Sequence, residues 1–321
     1  LFPRRPKPLA RKAGRLPHLA GMLASRSDLK YMKNFIKRKR LWLTAGLLLL
    51  LLLAIALDNR LKIQHYTVEA AAISQPVRLC LLTDLHSCRY GENEQQLVEA
   101  INAEQPDILL LVGDIFDDQI ADDNTAALLK AVSEQYPCYY VTGNHEYWAG
   151  PAAFDAKMQI LADYNVKRLD GQVATITVNG QTINMAGVDD PDMYRIMSHA
   201  GKAANQRDGI ANFQEQLTQV QAKSQNGHYT ILLAHRPEYF QLYANYGFDL
   251  ALCGHAHGGQ WRLPGLINGV YAPGQGLWPK YAGGIYQQAA CTMLVSRGLA
   301  RESTRIPRLF NRPELVIIDL T

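Results

Sequence analysis

The chain has 321 residues, 48% of them hydrophobic, enough to bury a full core as one large domain or two small ones. Its net charge of +4 conceals a division, because residues 1–40 hold thirteen Lys/Arg against one Asp while the remainder holds 20 Lys/Arg against 28 Asp/Glu. An acidic body argues against nucleic acid as a partner gripped through its phosphates, and five cysteines without a CxxC argue against a disulfide framework and read as buried free thiols.

Residues 1–40 form a basic tail rich in Arg, Lys and Pro. The chain opens on Leu, and Met32-Lys33-Asn34 begins an ordinary basic n-region, so translation is expected to start at Met32 with residues 1–31 an upstream extension. Leu41–Leu57 carries no charge and spans about 26 Å as a helix, which reads as a transmembrane signal-anchor. A cleaved signal peptide competes, since Ala54-Ile55-Ala56 fits an A-x-A site. Lys37-Arg38-Lys39-Arg40 outweighs the nearly balanced Asp58, Arg60 and Lys62, which places everything after residue 57 outside the cytoplasm. Residues 58–75 read as a linker and 76–321 as the folded domain.

Within that domain, apolar runs alternate with polar, helix-like stretches. Val77–Thr83, Asp107–Val112 and Cys138–Thr142 read as strands, followed in turn by helices over Asn93–Ala103, Asn124–Glu134 and Ala152–Tyr164. Val173–Val178 and Thr182–Val188 form a hairpin around Asn179-Gly180. A helix over Ile210–Lys223 precedes strands Tyr229–Ala234 and Phe248–Cys253, with a helix at Pro237–Tyr246 between them. Strands Cys291–Val295 and Leu315–Asp319 close the chain. This order predicts an α/β fold whose largely parallel sheet is extended by antiparallel strands.

Each alternating strand stops at polar residues of a narrow kind. The first ends TDLHS (Asp84, His86), the second VGDIFDD (Asp114, Asp117, Asp118) and the third TGNHE (Asn144, His145, Glu146). Later strands end LAHRP (His235) and CGHAHGG (His255, His257). The pair at 255 and 257, taken alone, is either incidental polar surface or two ligands sharing one face of extended backbone. Five of the nine histidines at strand C-termini, joined by Asp and Asn, point to a metal site at the edge where open α/β sheets build theirs. Carboxylate, amide and imidazole donors suit Mn²⁺, Fe or Zn²⁺ rather than the thiolate cages of structural zinc. Two divalent ions about 3.5–4 Å apart need one bridging carboxylate and clamp both oxygens of an in-line displacement. Gly113, Gly143 and Gly254 precede ligands, which lets the backbone turn tightly and come close.

The ordered set D-x-H, G-D-x-x-D, G-N-H-E, a lone His and G-H-x-H, over residues 77–320, is similar to the calcineurin-like metallophosphoesterases. The stretches GHAHGGQWRLPGLINGVYAPGQGLWPKY, SRGL and RLFNRPE resemble its membrane-anchored bacterial branch of YkuE/YaeI type. The resemblance implies a four-layer fold, two facing mixed β-sheets flanked by helices, with residues 76–321 as the catalytic domain. It implies two ions, often iron first and manganese or zinc second. Asp84, His86 and His257 would hold one, Asn144, His235 and His255 the other, and Asp114 would bridge them. His145 would stand by the substrate as acid or transition-state stabiliser, with Asp117 and Glu146 holding histidines in position. A hydroxide activated between the ions would then attack phosphorus in a phosphoester or pyrophosphate.

The branch is associated with lipid-linked pyrophosphates such as UDP-2,3-diacylglucosamine of the lipid A pathway, which suits a membrane anchor. The expected topology speaks against that substrate, which faces the cytoplasm. A broad phosphodiesterase or phosphomonoesterase acting outside the cell membrane is the alternative, and a non-catalytic metal-binding scaffold the remote one. Weaker signals remain. Asp189, Asp190 and Asp192 read as turn chemistry or as groups beside the site. Trp261, Tyr271, Trp278 and Tyr281 would line an apolar pocket. Arg236 and Lys280 would face a substrate phosphate, and Cys88 stands two residues beyond His86.

Overall fold

The computed structural model describes residues 26–193, 206–301, 303 and 306–321, so the basic tail up to residue 25 lies outside the described residues. The chain divides into two compact units, Leu1–Leu53 and Ala54–Thr321.

One helix, α1 (Arg26–Ala56), dominates the first unit and ends just inside the second. Its Leu29–Ala56 portion is the one helix among the described residues long and apolar enough to cross a membrane. The charge-free span expected at Leu41–Leu57 is therefore the C-terminal part of a longer helix. Lys37–Arg40, read as a flank, is helical too. Lys and Arg are good helix formers, and no Gly or Pro interrupts residues 26–45.

The second unit is built on two six-stranded sheets. The first contains β1 (Lys62–Val68), β2 (Val77–Leu82), β3 (Ile108–Val112), β4 (Cys138–Val141), β5 (Lys167–Arg168) and β14 (Glu314–Leu320), in the order β1-β14-β2-β3-β4-β5. Only the β14–β2 pairing is antiparallel. The second contains β6 (Gln172–Val178), β7 (Gln181–Gly187), β8 (Tyr229–Leu233), β9 (Leu250–Cys253), β12 (Gly284–Gln288) and β13 (Cys291–Val295), in the order β12-β13-β9-β8-β7-β6. Its two edge pairs are antiparallel and its centre is parallel. A short hairpin, β10 (Tyr271–Ala272) with β11 (Gly276–Leu277), stands apart.

The layering follows from the two-residue period of strands. Leu79, Leu81, Leu110 and Val112 of the first sheet turn inward and meet Ile183, Met185, Ile231 and Leu252 of the second. The alternate residues Cys80, Leu82, Leu109 and Leu111 face outward and pack under α2 (Gln95–Glu104) and α3 (Asp123–Val132), which contribute Leu97, Ile101, Leu128 and Leu129. On the far side, Ala186, Leu232 and Ala251 are covered by Phe213, Leu217 and Val220 of α6 (Gln206–Lys223) and by Phe240 and Tyr243 of α7 (Phe240–Asn245). Two facing mixed sheets flanked by helices are thus observed. Strands buried on both faces need apolar side chains throughout, which is why the inner ones read as unbroken runs.

Residues 58–75 are not a plain linker. Residues 62–68 form β1, paired in parallel with β14 along its whole length. The segment KIQHYTV alternates polar and apolar residues and is largely exposed, as befits an edge strand, and it lacks the apolar run that marks the inner strands. All five cysteines are free and buried, and burial raises the Cys138 thiol to about 12.

Candidate metal centre

Five loops at the C-terminal ends of β2, β3, β4, β8 and β9 deliver the residues singled out in the sequence. Asp84, His86, Asp114 and His257 come together in one group, and Asp114, His235 and His255 in another, with donor atoms within 4.8 Å of one another in each. Asp114 belongs to both. Asn144, at the start of α4 (Asn144–Trp148), is buried with them.

The donor atoms are the notable feature. Among the described residues, Asp84 Oδ2, His86 Nε2, Asp114 Oδ2, Asn144 Oδ1, His235 Nε2, His255 Nε2 and His257 Nδ1 are buried with no well-formed hydrogen bond, and the nearest approach within the set is His235 Nε2 to Asp114 Oδ2 at 3.1 Å. One such orphan costs about 1–3 kcal/mol. So many in one place, two of them carboxylate oxygens, make no sense as packing and fit a set of donors for cations. Two histidines are already oriented for it. His86 Nδ1 donates to Asp117 Oδ2 at 2.9 Å, and His235 Nδ1 donates to the Val112 carbonyl at 3.0 Å, which aims each Nε2 at the centre, where a cation would take the place of its proton.

The backbone is bent to the same end. Asp84 (φ 49°), His86 (51°), Asp114 (50°), His255 (64°) and His257 (46°) all occupy the left-handed region. Each costs on the order of 1–3 kcal/mol, and such conformations gather at functional sites. Close approach also needs glycine. A Cβ on Gly143 would lie 2.2 Å from Asp114 Oδ1, and one on Gly113 2.3 Å from His235 Nδ1.

Charge is tightly balanced. Burial opposes ionisation of Asp114, but the imidazoles of His235 and His145 hold its carboxyl well below the usual range. Burial likewise opposes protonation of His235, and the Asp114 and Asp84 carboxylates overcome it, raising it to about 10. Burial, with Arg236 and His235 nearby, holds His255 well below its ordinary value, and burial with His86 and Arg308 does the same to His257.

His145 differs from the others in being partly open to solvent, with 23% of its side chain exposed. Its Nδ1 donates to Asp118 Oδ1, and its ring stands edge-on to His86 at 4.4 Å and tilted against Trp148 at 4.5 Å.

Two expectations need correction, for Glu146 and for the aromatic pocket. Glu146 holds no histidine among the described residues. Its carboxylate accepts the backbone N–H groups of Asp114, Ile115, Phe116 and Gly143 at 2.8–3.1 Å and so fixes the loop that carries Asp114. Arg236 is held by carboxylates beside the centre. Its Nε and Nη2 donate to Asp190 at 2.6 and 3.0 Å, Asp192 and Glu238 lie within 3.7 Å, and Glu238 in turn lies 4.0 Å from His255 Nε2. Asp190 therefore serves an ion pair, while Asp189 takes Thr142 and Arg168. Tyr281 is buried in the core and Trp278 lies exposed, so neither joins Trp261 and Tyr271, which do line an apolar groove with Val270 and Leu277. Lys280 is exposed with its Nζ 4.9 Å from the Tyr281 ring. Cys88 is a buried thiol that accepts the Arg301 backbone N–H.

Sequence reasoning missed two contributors, Asn311 and Arg308, and named Asp118 with Asp117 without seeing its place beside His145. Asn311 donates to the His257 and Gln260 carbonyls at 2.8 and 3.2 Å, which fixes the loop bearing His257. Arg308 is buried, donates through Nη1 to the Arg297 carbonyl, and keeps Nε and Nη2 without a partner among the described residues. The signal for both was the RLFNRPE stretch, noted for its resemblance and given no role.

The profile of the Calcineurin-like phosphoesterase family matches residues 77–259. The chain is 27% identical over 261 residues to a metallophosphoesterase of Campylobacter jejuni, covering 75% of this chain and 63% of the relative. It is 26% identical over 251 residues to the phosphodiesterase YaeI of Escherichia coli, covering 76% and 82%. It is 30% identical over 256 residues to a bovine transmembrane protein with a metallophosphoesterase domain, covering 76% and 53%. The chain thus spans 63% or less of two of these three relatives. A profile match over more than half its length, on the very strands that bring the buried donors together, establishes that this chain belongs to the calcineurin-like phosphoesterases, hydrolases that act on phosphoester bonds with divalent metals.

Proposed function

We propose that the chain is a membrane-anchored phosphodiesterase in which Asp84, His86 and His257 hold one divalent ion (Mn, Fe or Zn), Asn144, His235 and His255 hold a second, and Asp114 is shared. The observation that carries this reading is Asp114 itself, common to two groups of otherwise unpartnered donors. Such a pair of ions, when bound, would supply Lewis acidity that activates water near neutral pH and would offset charge on the phosphoryl oxygens. His145, the one partly open imidazole, meets the leaving oxygen and gives it a proton from Nε2 while Asp118 steadies Nδ1. Asp117 fixes the tautomer of His86, and Glu146 fixes the turn that presents Asp114.

The Escherichia coli relative is named a phosphodiesterase, which favours diesters as the substrate class. A narrower reading, a lipid-linked pyrophosphate such as UDP-2,3-diacylglucosamine, is favoured by the apolar groove of about 190 Å³ that begins at Trp261, four residues after His257. The basic run at 37–40 favours a single pass through the cell membrane with the domain outside the cytoplasm. Protease treatment of intact cells reads that directly, since protection of residues 58–321 would reverse the orientation. For the activity, the full chain in detergent with Mn²⁺ is assayed on bis-p-nitrophenyl phosphate, p-nitrophenyl phosphate and UDP-2,3-diacylglucosamine. The diester is expected to turn over and Asp114→Asn to abolish it. Turnover that survives Asp114→Asn, or hydrolysis of none of the three, overturns the reading.

A further inference from the structure

We infer that the segment after His257 is a membrane-docking surface, with Trp261, Leu263, Leu266, Leu277 and Trp278 seated in the interfacial layer of the bilayer that α1 enters. Exposure supports it first. Leu266 is 85% exposed, Leu277 68%, Trp278 64%, Leu263 47% and Trp261 43%. Six of the ten exposed large apolar side chains in the described part of residues 58–321 fall within 261–278. The patch is continuous. A turn closed by Leu263 N–H to the Ile267 carbonyl lifts Leu263, Pro264 and Leu266 to its tip, and Trp278 N–H returns to the Val270 carbonyl at its base. Concentrated apolar exposure of this kind marks an interaction surface.

The end of α1 identifies the occupant. The carbonyl of Ala56, the last residue of α1, accepts the Phe310 N–H at 2.7 Å. One residue earlier, Leu309 N–H donates to the Gln260 carbonyl and the Leu309 carbonyl accepts Arg262 N–H, while Trp261 Nε1 donates to the Pro307 carbonyl. The strip 307–310 therefore meets both Ala56, where the apolar helix ends, and the base of the exposed patch. A bilayer entered by the helix that ends at Ala56 is thereby the occupant within reach of the patch. The composition agrees with that depth. Tryptophans sit at the headgroup level, and Lys280 follows Trp278 closely enough to lay its stem along the surface and its ammonium in water. The same loop leads within four residues to His257, so docking would bring the metal centre to the headgroup layer. The inference does not depend on what that centre hydrolyses.

The test uses the full chain in vesicles of phosphatidylcholine and phosphatidylglycerol. Leu266→Cys is labelled with an environment-sensitive nitrobenzoxadiazole; the five native cysteines are buried, and unsubstituted protein is the blank. Leu48→Cys, on α1, reports insertion of the helix itself. Nitroxide-bearing lipids are expected to quench both labels, and the Leu266 label to shift to the blue and resist iodide. A Leu266 label that stays open to iodide while the Leu48 label is quenched overturns the docking and leaves the anchor standing. A Leu266 label shielded from iodide yet untouched by lipid nitroxide points to a second protein copy and overturns it equally. So does a lack of quenching at both positions.

Discussion

His145 and its neighbours separate chemistry from scaffolding at the level of single residues. The hydrogen bond His145 gives Asp114 Oδ1 comes from its backbone N–H, which alanine keeps, and its ring only stands beside His86 and 3.7 Å from Asp117 Oδ2, so His145→Ala is expected to lower kcat by about 10²–10⁴ while bound metal stays unchanged. Asp118→Asn is expected to move kcat in the same direction by less, with KM little altered. Elemental analysis beside steady-state kinetics reads both, and loss of metal in His145→Ala would make it a ligand. Glu146→Gln tests the opposite kind of role. Losing a charged acceptor shared by four backbone N–H groups should cost about 2 kcal/mol, seen as a fall of several degrees in Tm. Glu146 was legible as important and misread in partner, because G-N-H-E has the spacing of a capping box, whose carboxylate turns back to the helix start. The carboxylate partners of Arg236, Asp190 and Asp192, were not legible beside His235 because they arrive from a loop more than forty residues earlier in the chain.

At the scale of elements, the inner strands were plain in the sequence and the edges were not. β2, β3, β8 and β9 are buried and almost wholly apolar, with only Arg78 and Thr230 as exceptions, whereas β1 and β12 include polar residues, are partly exposed and were overlooked. A chain begun at residue 76, the boundary the sequence invites, would strip β14 of its seven-residue parallel partner. It is expected to unfold at a lower temperature than one begun at residue 58, by calorimetry; equal stability would show β1 to be dispensable. The strand-to-loop junctions make a second prediction. Gly143→Ala drives a Cβ onto the Asp114 carboxylate, so it is expected to cut metal affinity about 10–100-fold, read by titration calorimetry, with Tm changed far less than by Glu146→Gln.

Over the whole molecule, the metal centre was readable because its residues recur as short words at strand ends, D-x-H, G-D, G-N-H and G-H-x-H, and parallel strands bring those ends to one edge. The contributions of Asn311, Arg308 and the strip 307–310 were not readable, because they come from an irregular segment whose place is fixed only by the closed fold. Everything turns on one carboxylate serving two ions. The direct test is the metal content of the full chain, equilibrated with Mn²⁺ and freed of excess, beside that of Asp114→Asn with an unchanged circular dichroism spectrum. Two ions per chain in the parent and one or none in the variant are expected. Two ions retained by Asp114→Asn, or fewer than two in the parent, would contradict the account.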